Sequence, residues 1–304
     1  LIAAAAVLVL AVGTAGATGI LKSAGEAFAP IFGASAAQTE IIDKIGYPVG
    51  ASDTDNGVTI TADAVMGDQY NAAIVFTITR DDGTALLPAG TEDDMLLIQG
   101  SGADLNILGG SHGGSWFVDE DPTDDTLQMV QTISSDVPLN DCTATAEFDN
   151  IYRWDEASGE SVPVIEGHWK FRFDVRYEDA SIILGGGETF TQDGMTFTID
   201  SITLSPVAYK VDYTVDSEVV WSNSGSGRQS EEDRLTTQRY FENVEILLTL
   251  TDGTVIDLSN AGGSIGPEDG VTVCSKGEVF SEVLPMEDMA SISVGGVVYD
   301  LTVE

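Results

Sequence analysis

One stretch of strand is written twice in this chain. Residues 57–66 read GVTITADAVM and residues 194–203 read GMTFTIDSIT, 137 positions later. The likeness runs without gaps over 57–79 and 194–216. Gly57, Thr59, Thr61, Asp63 and Thr77 recur as Gly194, Thr196, Thr198, Asp200 and Thr214. Apolar residues hold alternate positions: Val58, Ile60 and Ala62 answer Met195, Phe197 and Ile199, and Ile74, Phe76 and Ile78 answer Val211, Tyr213 and Val215. A period of two puts one face of a strand in a core and the other toward water. Each copy therefore reads as two half-buried strands joined by a turn, at Gly67-Asp68 in one and Ser205-Pro206 in the other.

Fainter echoes follow. SSDVPLND (134–141) resembles FSEVLPMED (280–288). In GHWKFRFDVRY, Trp169, Phe171, Phe173, Val175 and Tyr177 alternate with His168, Lys170, Arg172, Asp174 and Arg176. Asp252-Gly253 marks a hairpin. Gly185-Gly186-Gly187 reads as a joint between modules. The expected fold is mainly β: an N-terminal apolar helix, then two duplicated antiparallel β-sandwich modules of Ig-like type. The expected boundaries are 1–46 for an apolar helix and amphipathic stalk, 47–184 for the first module and 185–304 for the second.

The apolar helix is expected from LIAAAAVLVLAVGTAGATGIL, where Leu1 to Leu21 carry neither charge nor proline. A helix of that length matches the hydrocarbon thickness of a bilayer. Three readings stay open: a membrane anchor, a signal peptide cleaved after Ala15-Gly16-Ala17, or a helix that packs with copies of itself. The small residues Ala3–Ala6, Gly13 and Gly16 permit close helix packing both for a membrane anchor and for a self-packing helix. Ile20, Leu21, Ala24, Ala27, Phe28, Ile31 and Phe32 continue an apolar stripe at helical spacing as far as Pro30 and Gly33.

Charge narrows the partners. The chain has 50 Asp and Glu against 12 Lys and Arg, a net −38. Such a surface repels phosphate backbones, so nucleic acid is not expected. The acid reads as a solubilising coat on an exported protein, with salt adaptation or cation binding as alternatives. Cys142 and Cys274 could form one disulfide or stay as buried thiols, with no bridge the expectation. They hold non-equivalent positions of the repeat, and without a CxxC or a nearby His zinc is not expected.

No catalytic, cofactor or metal residue is assigned. His112 stands in GGSHGGSW beside Ser111 and Ser115, but four glycines around it mark an irregular turn, and no GxSxG is present. His168 falls on the polar face of a strand. Asp53 and Asp55 in DTDNG lack the further ligands of an EF-hand. Asp119, Glu120, Asp121, Asp124 and Asp125 surround one proline and read as a solvated loop. Leu87-Pro88-Ala89-Gly90-Thr91 has the wrong order for a sortase signal.

The apolar start, DKIGYPVGASDTDNGVTITADAVMGDQYNAAIVFTIT and ITLSPVAYKVDYTV together resemble a family of unknown function. That family forms the extracytoplasmic part of single-span, anti-sigma-factor-like membrane proteins of Gram-positive bacteria. The resemblance implies a non-enzymatic protein anchored in the cell membrane, with no functional residues to carry over. The expected activity is binding or sensing at the cell envelope through loops 109–126 and 222–239. The alternative is a structural subunit of a pilin-like surface filament, self-associating through residues 1–32. A secreted hydrolase comes third.

Overall fold

The computed structural model describes residues 22–87, 95–156, 158–222 and 229–301. The described chain is mainly β, and every strand pairing in it is antiparallel.

The first half builds two facing sheets. One runs β1 (Tyr47–Asp55), β2 (Val58–Gly67), β3 (Asn71–Arg80), β6 (Thr126–Ser135), β5 (Ser111–Val118). The other runs β4 (Leu96–Asp104), β7 (Cys142–Asp155), β8 (Glu160–Ile165), with β9 (Trp169–Val175) also on β7. Ile60, Ile74, Phe76, Phe148, Trp169 and Phe173 lie in the core between them. The second half repeats the plan. β10 (Ile182–Leu184), β11 (Thr189–Gln192), β12 (Met195–Leu204), β13 (Ala208–Val215), β17 (Val271–Val279) and β16 (Gly263–Glu268) form one sheet. β15 (Val255–Asp257), β14 (Ile246–Leu250), β18 (Met289–Val294) and β19 (Val297–Asp300) form the other.

The written repeat is a structural one. β2 and β3 stand where β12 and β13 stand in the second copy. Each pair opens on a two-residue turn with positive φ at both positions: Asn56 (48°) and Gly57 (73°), then Asp193 (51°) and Gly194 (78°). Asn-Gly and Asp-Gly are the dipeptides such turns select. The register of β2 against β3 slips at Asp63, and that of β12 against β13 slips at Asp200. At each bulge the Thr hydroxyl opposite donates to the Asp: Thr77 to Asp63, and Thr214 to Asp200 at 2.7 Å. A bulge leaves one residue without a ladder partner, so a short polar side chain suits it.

The second module begins before the glycine run. β10 already pairs with β12 through Leu184 and Ile202. Gly185, Gly186 and Gly187 all have positive φ and divide β10 from β11 on the same edge of that sheet.

The N-terminal element is corrected. Leu1–Leu21, read as an apolar helix, lies outside the described residues. Among the described residues no helix is long and apolar enough to cross a membrane. The expected stalk folds as two short helices, α1 (Ala24–Phe32) and α2 (Ala36–Ile45). Their cause is local. SAGE and SAAQ each form a capping box, with Ser23 and Glu26 exchanging hydrogen bonds and Ser35 and Gln38 doing the same. Gly33, at φ 110°, ends the first helix. The Gly25 amide donates to Asp43 Oδ1 at 2.7 Å and draws the helices together.

This hairpin covers the outer face of the β2–β3–β6 sheet. Phe28, Phe32 and Ile42 pack on Ala64, Met66, Ala73, Val75 and Val130, with Val207, Ala208 and Val283 of the second module beside them. Complete burial of each large side chain contributes roughly 1.5–3 kcal/mol. The second copy, whose equivalent face carries no helical hairpin among the described residues and where Lys210 lies over the Tyr70 ring, differs at these positions. Ala64, Met66, Ala73 and Val75 become Ser201, Thr203, Lys210 and Asp212, and Lys210 pairs with Asp212 there.

Candidate functional site

The sandwich of the first half is closed on one side and open on the other. On the closed side β1 meets β9: the Lys170 amide donates to Asp53 Oδ2 and the His168 amide to Asp55 Oδ2, each within 2.9 Å. These two acids thus staple one sheet to the other.

On the open side the edges β4 and β5 face each other across a cleft of about 500 Å³. Its floor is Met129, Ile133 and Phe148, and its walls include Gly100, Gly102, Ser111, Gly113 and Ser115. Ser111, Gly113 and Ser115 pair with Ser135, Ile133 and Gln131 of β6, which sets them on the inward face. Because all three are small, the space between the sheets is left unfilled. One side chain crosses it. The Ala103 amide donates to Gln131 Oε1 at 2.8 Å, and Gln131 Nε2 donates to the Ala103 carbonyl at 3.1 Å. The Gln131 carboxamide therefore gives the β4 edge what a neighbouring strand would give it.

His112 is the correction here. The expected irregular turn is strand β5, and the expected recognition loop 109–126 is that strand followed by an acidic turn. Alternation turns His112 away from Ser111 and Ser115, so neither serine shares its face. It faces a second cleft, of about 340 Å³, between the modules. There His112 Nε2 donates to the Gly277 carbonyl at 2.9 Å. Gly262 packs so close that a Cβ would stand 2.6 Å from the imidazole. Burial raises the pKa of Glu278 in this cleft, and His112 acts against that rise. Trp116, on the same face of β5, meets Phe32 of α1 edge-on at 6.3 Å.

The remaining acids are held by their own turns. Asp119 accepts from the Asp121 amide, Asp121 from Thr123 and Asp124 from the Thr126 amide. Asp121 sits below the usual carboxylate range because Thr123 donates to it twice, whereas burial raises Asp119. Among the described residues no three acidic, His or Cys side chains stand together as a metal site. His168 is exposed, and its pKa rises because Asp149 hydrogen-bonds it at 2.8 Å. Both thiols are free, Cys142 half-buried and Cys274 buried, and burial pushes Cys274 up to about 12.

The second expected loop, 222–239, contains α3 (Glu231–Thr237), which continues into a π-turn at Gln238–Glu242. Residues 223–228 of it lie outside the described residues. Behind that turn is Lys276, 1% exposed, which sequence reasoning passed over. Its Nζ donates to the Phe241 carbonyl at 2.9 Å and lies near those of Glu242 and Val244. Burial brings its pKa down to about 8.

No family model matches the chain, and no curated protein matches it. One solved structure is similar: a conserved domain protein from Bacillus anthracis, at 19% identity and a TM-score of 0.52. The match covers 82% of this chain and 76% of that one. At this identity the likeness concerns fold alone.

Proposed function

We propose that this chain is a non-enzymatic binding or sensing protein of the cell envelope, working outside the cytoplasm and held at the membrane through residues 1–21. The observation that carries the binding reading is the open side of the first sandwich. Two sheet edges flank a cleft with an apolar floor, and β5 sets its histidine and its serines on opposite faces. Recognition needs only such a shape, whereas acyl transfer needs a nucleophile beside its base. The location rests on the uncharged start and on the resemblance described above.

The filament alternative gains no support from α1. The stripe Ala24, Ala27, Phe28 and Phe32 is buried on the chain's own modules and is not presented to a second copy.

Fractionation tests the proposal. The chain is expected in the membrane pellet through a high-salt wash and in the supernatant after detergent. Recovery in the soluble cytoplasmic fraction, or in long regular fibres sheared from cells, would overturn it.

A further inference from the structure

We propose that the free edge of β5 takes an extended cationic peptide as an added strand, with alternate apolar side chains entering the cleft toward Met129 and Phe148. This deepens the binding reading above and rests on it for the site, but not for the location of the chain.

Hydrogen bonding points to a strand. Among the described residues β5 pairs only with β6, so half of its backbone donors and acceptors face outward. An edge of this kind is a template for another extended chain. Shape agrees. Ser111, Gly113 and Ser115 are small where a sandwich edge normally fills its own gap, and the floor beneath them is apolar. The Gln131 carboxamide shows the chemistry that the gap accepts, since it binds Ala103 through both an N–H and a carbonyl, as a peptide group would.

Charge selects the occupant. No lysine or arginine occurs between Arg80 and Arg153, a span that includes β4, β5, β6 and their connections. Asp104 closes β4, and five carboxylates follow β5 between Asp119 and Asp125. An anionic or neutral strand gains nothing from that field, whereas basic residues at the outward and terminal positions of an added strand do.

Amide hydrogen exchange of the full chain tests this. The probe is an end-blocked eight-residue peptide of alternating Lys and Val, matching the eight residues of β5. The control is its Glu–Val counterpart. The lysine peptide is expected to slow exchange across 111–118 and to bind at least ~10-fold more tightly than the control, with affinity falling as salt rises. Ser115→Phe, which fills the cleft, is expected to weaken binding by a similar factor while exchange in 195–215 stays unchanged. The proposal falls if about 1 mM lysine peptide, the weak end of peptide recognition, leaves 111–118 unprotected. It falls equally if the control protects as well, or if 111–118 is already protected without peptide by a second copy or by residues 1–21. Peptide binding by a chain found in the cytoplasm would overturn the envelope reading alone. An envelope chain with an inert β5 would overturn this one alone.

Discussion

Ser205 Oγ donates to Asp68 Oδ2 at 2.7 Å, and the two are the same position of the repeat. Each governs its own turn. Asp68 Oδ1 accepts from the Tyr70 and Asn71 amides, and Ser205 Oγ accepts from the Val207 and Ala208 amides. The segments after β6 and β17 dock on these turns alike. Ser135 and Leu139 donate to the Tyr70 and Gln69 carbonyls, and Phe280 and Leu284 donate to those of Val207 and Pro206. Equivalent parts thus meet equivalent parts, as in an isologous contact between subunits. The duplicated modules join through duplicated turns, with both residues fully buried.

The join predicts coupling. Asp68→Ala strands the Tyr70 and Asn71 amides and leaves the Ser205 hydroxyl only the Ala208 carbonyl to donate to, and Ser205→Ala strands the amides of Val207 and Ala208. Each is expected to cost about 1–3 kcal/mol for buried groups left unpaired. In urea unfolding, the double variant should depart from the sum of the singles by about 0.5–3 kcal/mol. Additivity within error would mean that the contact carries no energy.

Phe28→Ala tests whether the helical hairpin belongs to the folded body. Its ring is fully buried on the sheet. Truncation should cost about 3–5 kcal/mol. A projecting stalk would instead give a surface value within about 0.5 kcal/mol of zero.

Lys276 sets a pH dependence. Burial lowers its pKa from 10.5 to about 8, so the folded state binds fewer protons than the unfolded one between those values. Its contribution is present above 10.5 and lost as pH falls through about 8. Denaturation midpoints of the wild type and of Lys276→Met, compared at pH values on either side of that window, should show a rise with pH in the wild type that the variant lacks. The same slope in both would contradict this assignment.

The repeated turns should respond alike. Gly57 and Gly194 both have positive φ, and a Cβ at either meets nothing within 4 Å. Alanine there should cost about 1 kcal/mol at each site, from backbone conformation alone. Unequal losses, measured by urea unfolding, would mean that the two turns are not equivalent.

Much of this architecture was legible because β strands with one buried face write their period into the sequence. Val58 to Ala62, Met195 to Ile199 and Trp169 to Val175 all alternate, and Asp252-Gly253 turns between β14 and β15 as expected. The hairpin was not read, although its signals stand in SAGE and SAAQ and in the apolar residues Ala64, Met66, Ala73 and Val75 where the second copy is polar. An apolar stripe at helical spacing describes a membrane-seeking helix and a sheet-covering helix equally well, so the stripe alone misled. The cleft was not legible. It depends on the smallness of Ser111, Gly113 and Ser115 at inward positions, and the glycines that make a strand edge hollow also make it read as a turn. Lys276 was hidden for a related reason: its partners are backbone carbonyls, which leave no mark in a sequence.

The central claim is a binding surface displayed outside the cytoplasm. Leu108, 98% exposed between β4 and β5, offers the most direct test of it. Leu108→Cys should react with a membrane-impermeant maleimide on intact cells, above the background set by half-buried Cys142 and buried Cys274. Reaction only after lysis would place the cleft inside the cell and contradict the account.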